Sequence, residues 1–271
     1  MATESLSGVA GTAAFSKFMA VLQLVADADT PPGIAELARQ SGYPRATVYR
    51  IVAALAEHGL VAPHGDGGAW RLGPRLLALA SRSWSQFDLR AALEPELRAL
   101  RDHTGETVHL AVPDGNAMMY VEKLESAGPV RMASRVGGRL MLHSSAVGKA
   151  YLAALPPARL DTLLAELPLP ARMPATRATP AALRAELEQV RRQGYAVDNE
   201  ENEAGIVCYG VALCDAEGRP VAGVSVSTLR FRQRDDVHAA YIEPLLRLRD
   251  GAAARLQAAG LSSLSSETSR P

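Results

Sequence analysis

Several features are scarce in this chain, and each scarcity excludes something. Only two of its 271 residues are cysteine, Cys208 and Cys214. That is too few for a disulfide framework, and no Cys/His spacing suits a zinc cluster. An even separation along one strand puts the two thiols on the same face, about 20 Å apart at ~3.3 Å per residue, beyond bridging reach. They read as small buried hydrophobes. Net charge is also missing: 29 basic side chains balance 29 acidic ones. No apolar run approaches the ~18 residues that a membrane-spanning helix needs. The first residues, Met1-Ala2-Thr3-Glu4-Ser5, show neither a basic nor an apolar signal region, so the expected location is the cytoplasm. Hydrophobic content of 48% fits a soluble globular chain long enough for two domains.

What is present concentrates between Ile34 and Gly73. Ile34 to Arg39 is a short helical run, and Ser41-Gly42-Tyr43-Pro44 breaks it. Arg45 to Leu55 is a second helix. Val61 to His64 and Ala69 to Leu72 alternate around a Gly/Asp turn. This order spells a winged helix-turn-helix, whose second helix enters a DNA major groove. At 100° per residue Val48, Ile51, Val52 and Leu55 share one side of that helix. Ala46, Thr47, Arg50 and Ala53 lie opposite, with Arg45 and Tyr49 at the margins. Small side chains permit approach to base edges, Arg50 can reach a guanine or a phosphate, and Thr47 and Tyr49 can bond phosphates. Arg71, with His64 and Arg75, can touch the DNA backbone or serve as an ordinary wing-edge residue. A basic domain is expected of a DNA reader. Residues 1–80 instead hold six basic and six acidic side chains, so placement rather than total charge must do the work. Phe15, Phe18, Leu22 and Val25 step by three and four and predict a first helix over 13–26, its apolar side serving the core or a dimer contact.

Downstream, a helix is predicted from Pro74 to about Gln86. Asp88 reads as the N-cap of another helix running to about Asp102, with Pro95 inside it. Strands are then predicted over 107–112, 117–124 and 130–134. Helices follow over 145–154, 158–167 and 180–193, the last ending at Gly194. A strand opens at Tyr195, a hairpin joins 205–215 to 220–229, and a closing helix spans Asp235 to about Ala259. An antiparallel sheet flanked by helices is an α+β, sensor-like module.

Several motifs in fixed order resemble the IclR family of bacterial transcriptional regulators, over nearly the whole chain. They are Ile34-Ala35-Glu36-Leu37-Ala38, Gly59-Leu60-Val61, Arg71-Leu72-Gly73-Pro74, Thr104-Gly105-Glu106-Thr107-Val108-His109-Leu110 and His143-Ser144-Ser145-Ala146-Val147-Gly148-Lys149-Ala150. The most diagnostic runs from Arg192 through Asp198-Asn199-Glu200-Glu201-Asn202 to Cys208. The resemblance implies an N-terminal winged helix-turn-helix (13–73), a linker helix (74–87) and a GAF-like mixed α/β effector-binding domain (88–260); the ends at 1–12 and at the Ser-rich 261–271 are expected to be disordered. It also implies homodimers pairing into dimers of dimers, a palindromic double-stranded operator beside catabolic genes, and a small carboxylate or aromatic acid as effector. No cofactor is implied. Carried over motif by motif, the effector contacts fall on Met132, Leu140, Ala146, Val147, Asp198, Ile206, Cys208, Ser225 and Ser227. Three positions depart from the family pattern: Met141 in place of a frequent proline, Tyr209-Gly210-Val211-Ala212 in place of an Ala-Ala-Pro run, and Tyr49 in place of a frequent histidine.

The residues themselves allow a pocket. Ser225 and Ser227, two apart on a strand, point the same way. Backbone amides at Ala146-Val147-Gly148 can cradle a carboxylate, and Asp198 can accept from a ligand hydroxyl. Without the resemblance, the serines read as solvent-facing and Asp198 as a turn residue. Two rival functions remain: an enzyme using Cys208 as nucleophile with His109 or His143 as base, and an architectural DNA binder without a ligand.

Overall fold

The computed structural model describes residues 12–65, 67–85 and 88–258, and the chain divides between Phe87 and Asp88 into two compact units. The expected disordered ends lie outside the described residues, apart from Thr12.

The first unit is built on three helices: α1 (Ala13–Asp27), α2 (Ile34–Ser41) and α3 (Arg45–Glu57). Strands β1 (Val61–His64) and β2 (Ala69–Leu72) pair antiparallel as the wing, and α4 (Pro74–Ser85) follows. Val21, Leu22 and Val25 of α1, Leu37 of α2, and Val48, Ile51, Val52 and Leu55 of α3 form one buried cluster with Val61. The predicted apolar stripe of α3 is therefore the stripe that packs. Gly42 takes a left-handed φ of 71° and its N–H caps α2 at Ala38 O, which only glycine does cheaply. Pro44 then opens α3 where no helical donor is lost. Of the α1 positions expected to serve the core or a dimer contact, Leu22 and Val25 are buried in the core, whereas Phe15 is 66% exposed. Arg75 reaches back to the carbonyl of His58 at 3.2 Å and so ends α3 rather than standing free.

The second unit opens with α5 (Asp88–Thr104), which keeps Pro95 inside it. Six strands make one antiparallel sheet, in the order β5-β4-β3-β8-β7-β6. They are β3 (Thr107–Asp114), β4 (Ala117–Leu124), β5 (Arg139–Met141), β6 (Ala196–Asn199), β7 (Ile206–Cys214) and β8 (Pro220–Leu229). Helices α6 (Ala146–Ala154), α7 (Pro157–Glu166) and α8 (Pro180–Gln193) carry Val147, Ala150, Leu160, Leu183 and Leu187 into a core with Ala111, Met118 and Ala196 of the sheet. Helix α9 (Glu243–Ala258) follows a π-type turn at His238–Ile242, where a plain α-helix from Asp235 was predicted. Tyr241 of that turn stacks on Tyr209 of β7 at 5.7 Å, on the sheet face opposite the one that Gly210 presents to α6.

The strand predicted at Val130–Ser134 does not form. That segment is irregular, and the third short strand is β5, nine residues later. Its backbone finds side-chain partners instead of a neighbouring strand: Lys123 Nζ donates to the carbonyls of Met132 (2.8 Å) and Ser134 (2.7 Å). An alternating apolar pattern cannot distinguish those two outcomes.

Candidate functional site

In the first unit, Arg45, Ala46, Tyr49, Arg50 and Ala53 are exposed on the side of α3 away from its buried stripe, while Thr47 is half-buried. Arg45, Ala46, Tyr49 and Arg50 line a shared concavity with Ile34 and Ala35 of α2 and with Gly67 and Gly68 of the wing turn. Thr47 and Arg71 lie outside that concavity, although Arg71 is exposed on β2. Arg45, Arg50 and Arg71 make no hydrogen bond or ion pair with any described residue. Three cations are thus left to solvent beside small side chains, which is the layout that phosphate and base-edge contacts need.

In the second unit, strand register builds the other site. Asp198 pairs with Cys208, Cys208 with Ser227, and Ser227 with Thr107; Gly210 pairs with Ser225, and Ser225 with His109. Residues directly opposed across an antiparallel pair share a face. The register therefore gathers Asp198, Cys208, Ser225, Ser227 and His109 on one side of the sheet. Ser225 and Ser227 are buried, not solvent-facing strand residues.

Over that floor sits the start of α6. Ser145 caps the helix, its Oγ accepting from Gly148 N at 3.1 Å. This corrects one expectation: the Gly148 amide is consumed by the cap, leaving those of Ala146 and Val147 for a ligand. The helix approaches so closely because β7 has no side chain at the crossing. A Cβ on Gly210 would stand 2.7 Å from Ala146 C and 2.9 Å from Val147 N.

All nine residues inferred for the effector line one cavity of about 400 Å³. His109, Tyr120, Ser134, Met141, Arg172 and Asn202, among others, join them. Of these, His109 was read from the sequence only as a possible base for Cys208; its place beside Ser225 follows from strand register. Arg172 comes from an irregular segment that carries no sequence signal.

The electrostatics are specific. Asp198 accepts from Glu201 N (2.8 Å) and from Asn202 Nδ2 (2.7 Å), and burial raises its carboxyl above the usual range. Asn202 exchanges further bonds with Ser144. His109 lies within 2.8 Å of Ser134 Oγ by Nε2 and 3.3 Å of Ser227 Oγ by Nδ1, and it stacks on Tyr120 at 4.3 Å. Burial pulls it down to about 3, with the charge of Lys123 adding to the effect, so the ring is neutral. A neutral imidazole donates from one nitrogen and accepts at the other, so the two serines take opposite roles. The Ser225 hydroxyl has no partner among the described residues and borders the cavity. Burial pushes the Cys208 thiol up, which keeps it protonated and unreactive. His143 is turned to Pro170 O at 3.1 Å and does not line the cavity.

Known proteins share this architecture. The family described as IclR helix-turn-helix domain matches residues 15–65, and that described as Bacterial transcriptional regulator IclR C-terminal matches residues 81–252. The chain is 34% identical over 225 residues to the HTH-type transcriptional regulator XynR of Escherichia coli, covering 83% of this chain and 89% of that protein. It is 32% identical to the transcriptional repressor IclR of Escherichia coli, covering 80% of each. Among solved structures, Thermotoga maritima IclR superposes with a TM-score of 0.74 at 32% identity, over 89% of this chain and 98% of that one. An IclR homologue from Microbacterium hydrocarbonoxydans, complexed with 4-hydroxybenzoate, gives 0.77 at 27% identity, over 91% and 100%. With a helix-turn-helix unit that leaves Arg45, Arg50 and Arg71 to solvent and a second unit that holds a cavity, the chain belongs to the IclR family of DNA-binding, effector-responsive transcriptional regulators.

Proposed function

We propose that this regulator reads operator DNA through Arg45, Ala46, Thr47, Tyr49 and Arg50 of α3 together with Arg71 of the wing. The cavity then holds a small carboxylic or aromatic acid against Met132, Leu140, Ala146, Val147, Asp198, Ile206, Cys208, Ser225 and Ser227. Its binding sets DNA affinity at an operon for the breakdown of such acids. One observation carries the reading: residues scattered from 132 to 227 converge on a single cavity that offers amides for an anion, a carboxylate for a hydroxyl and apolar walls. The 4-hydroxybenzoate held by a relative supports the ligand class.

The regulator acts in the cytoplasm and as a homodimer that pairs again. Phe15 and Met19 of α1 and Leu77 and Leu79 of α4 are exposed apolar residues on the DNA-binding unit, and exposed apolar surface of this kind suits a second copy. Two weak half-site contacts then add through effective concentration, which a chain of zero net charge needs. The reading as a non-enzyme rests on Cys208, whose protonated thiol has no free base: both nitrogens of His109 face serine oxygens. The cavity also speaks against a purely architectural binder.

The test is thermal denaturation of the full chain against a panel of small carboxylic and aromatic acids. A binder at ~100 times its Kd stabilises by about 2.7 kcal/mol. Ser225→Ala should lose that shift while melting alone near the wild-type temperature; Asp198→Ala should lose it too, from a lower starting temperature, because it also strands the donors of Glu201 and Asn202. A shift unchanged in both would place the ligand elsewhere.

A further inference from the structure

Within the cavity just described, one cation has no task. Arg172 lines it from the segment between α7 and α8, which has no regular secondary structure. The segment is nonetheless fixed on both sides of Arg172. The buried ring of His143 bonds Pro170 O at 3.1 Å. Thr176 Oγ1 donates to Glu201 O (2.7 Å) and accepts from Met173 N (3.0 Å). The backbone is held by protein groups, yet the guanidinium is exposed and makes no hydrogen bond or ion pair with any described residue. The neighbouring cations differ. Arg139 is paired with Asp114 at 3.0 Å, and Arg135 is engaged within the protein.

The cavity already provides for one carboxylate, through the amides of Ala146 and Val147 and the buried hydroxyl of Ser225, which has no partner among the described residues. A monoacid held there leaves Arg172 unused. We infer that Arg172 is a specificity residue, selecting effectors that carry a second acidic group: small dicarboxylic acids, one end on the α6 amides and the other on the guanidinium. Arginine suits the role because its fork matches a carboxylate bidentately. The inference rests on the pocket reading above. Glu203, exposed on the same rim, is the rival carboxylate for Arg172.

The test is calorimetric titration of the full chain with matched acids that differ by one carboxylate: butanoate against succinate, pentanoate against glutarate, benzoate against terephthalate. In at least one pair the diacid should bind about tenfold tighter, the worth of one charge-assisted contact at a partly exposed site. Arg172→Ala should erase that advantage without weakening the monoacid. Arg172→Lys should restore part of it, and Ser225→Ala should weaken both members of the pair. If no diacid outbinds its monoacid, or if the advantage survives Arg172→Ala, the inference fails while the pocket reading stands. Equal losses for both members in Arg172→Ala would mean that the arginine serves the rim, through Glu203, and would also overturn it. If no acid binds the wild-type chain, both readings fall.

Discussion

Gly210 of β7 faces Ala146 at the first turn of α6 across a gap that holds no methyl group: an added Cβ would come within 2.7 Å of the Ala146 carbonyl carbon. The neighbours that would have to yield are backbone atoms, so the helix start itself must move. That start carries the two amides left for an anion. Gly210→Ala should therefore lower stability by about 1–3 kcal/mol, the usual cost of overpacking, and weaken acid binding beyond that loss. Denaturant midpoints and effector titrations on the same variant separate the two effects. Unchanged effector affinity in Gly210→Ala would mean that the α6 amides do not hold the ligand.

The neutral state of His109 has a pH signature. Its pKa lies at about 3 in the fold, against an ordinary value of 6.5. Between those values the unfolded chain binds a proton that the folded chain refuses, so stability falls as the pH drops below about 6.5, at up to about 1.4 kcal/mol per pH unit. His143, also lowered by burial, acts in the same direction. Asp198 and Glu201 are raised by burial and act in reverse, gaining stability as the pH falls through their folded values. The comparison that isolates His109 is its replacement by glutamine, which keeps one donor and one acceptor but does not titrate. Urea midpoints measured at pH 7 and pH 5 should fall less in His109→Gln than in the wild type. Parallel declines would show that the ring protonates freely.

On the DNA side, Arg50 is exposed and without a partner among the described residues. Arg50→Ala should cost about 1–3 kcal/mol of operator affinity and leave the melting temperature unchanged. If the contact is to phosphate, the slope of log affinity against log salt should also fall by about one. Fluorescence anisotropy across a salt series reads both quantities. Arg184 of α8, paired with Asp161 at 2.6 Å, supplies the control substitution; equal effects from Arg184→Ala and Arg50→Ala would remove α3 from the interface.

How far the sequence could be read depended on whether a feature is local. Helix α8 was legible to the residue, because Pro180 opens it, Thr179 caps it through Ala182 N, and Gly194 closes it at a φ of 82°. The stripe of α3 and the β7–β8 hairpin follow in the same way from periodicity and turn residues. The segment 130–134 was misread because its fate is decided by Lys123, which is near in space but belongs to another strand. His109 was seen only as a possible base for Cys208, since its place beside Ser225 depends on a register between strands more than a hundred residues apart. The nine inferred effector residues came from family motifs rather than from local pattern; the register and the gap at Gly210 supply the physical reason that they meet.

Behind the cavity lies a charge that local pattern does not explain. Lys149 is fully buried, with its Nζ 2.5 Å from Glu201 Oε1 and 3.1 Å from Glu186 Oε1. Glu201 leads to the cavity, since its N–H is held by Asp198. Its second oxygen, Oε2, is buried without a partner among the described residues, so Lys149 is what offsets that carboxylate's desolvation. Lys149→Met removes the cation and strands the acids, and should destabilise the fold by about 3–5 kcal/mol. Glu201→Gln alone should cost less, since an amide tolerates burial better than an unpaired charge. The double variant should be more stable than the sum of the two single losses allows, by at least about 1 kcal/mol, because the second change relieves what the first exposes. Chemical denaturation of the four proteins closes the cycle. Additive losses would mean that Lys149 and Glu201 stabilise the fold independently. A coupling that appears together with weakened acid binding in Lys149→Met would trace the path from the buried lysine through Glu201 and Asp198 to the ligand.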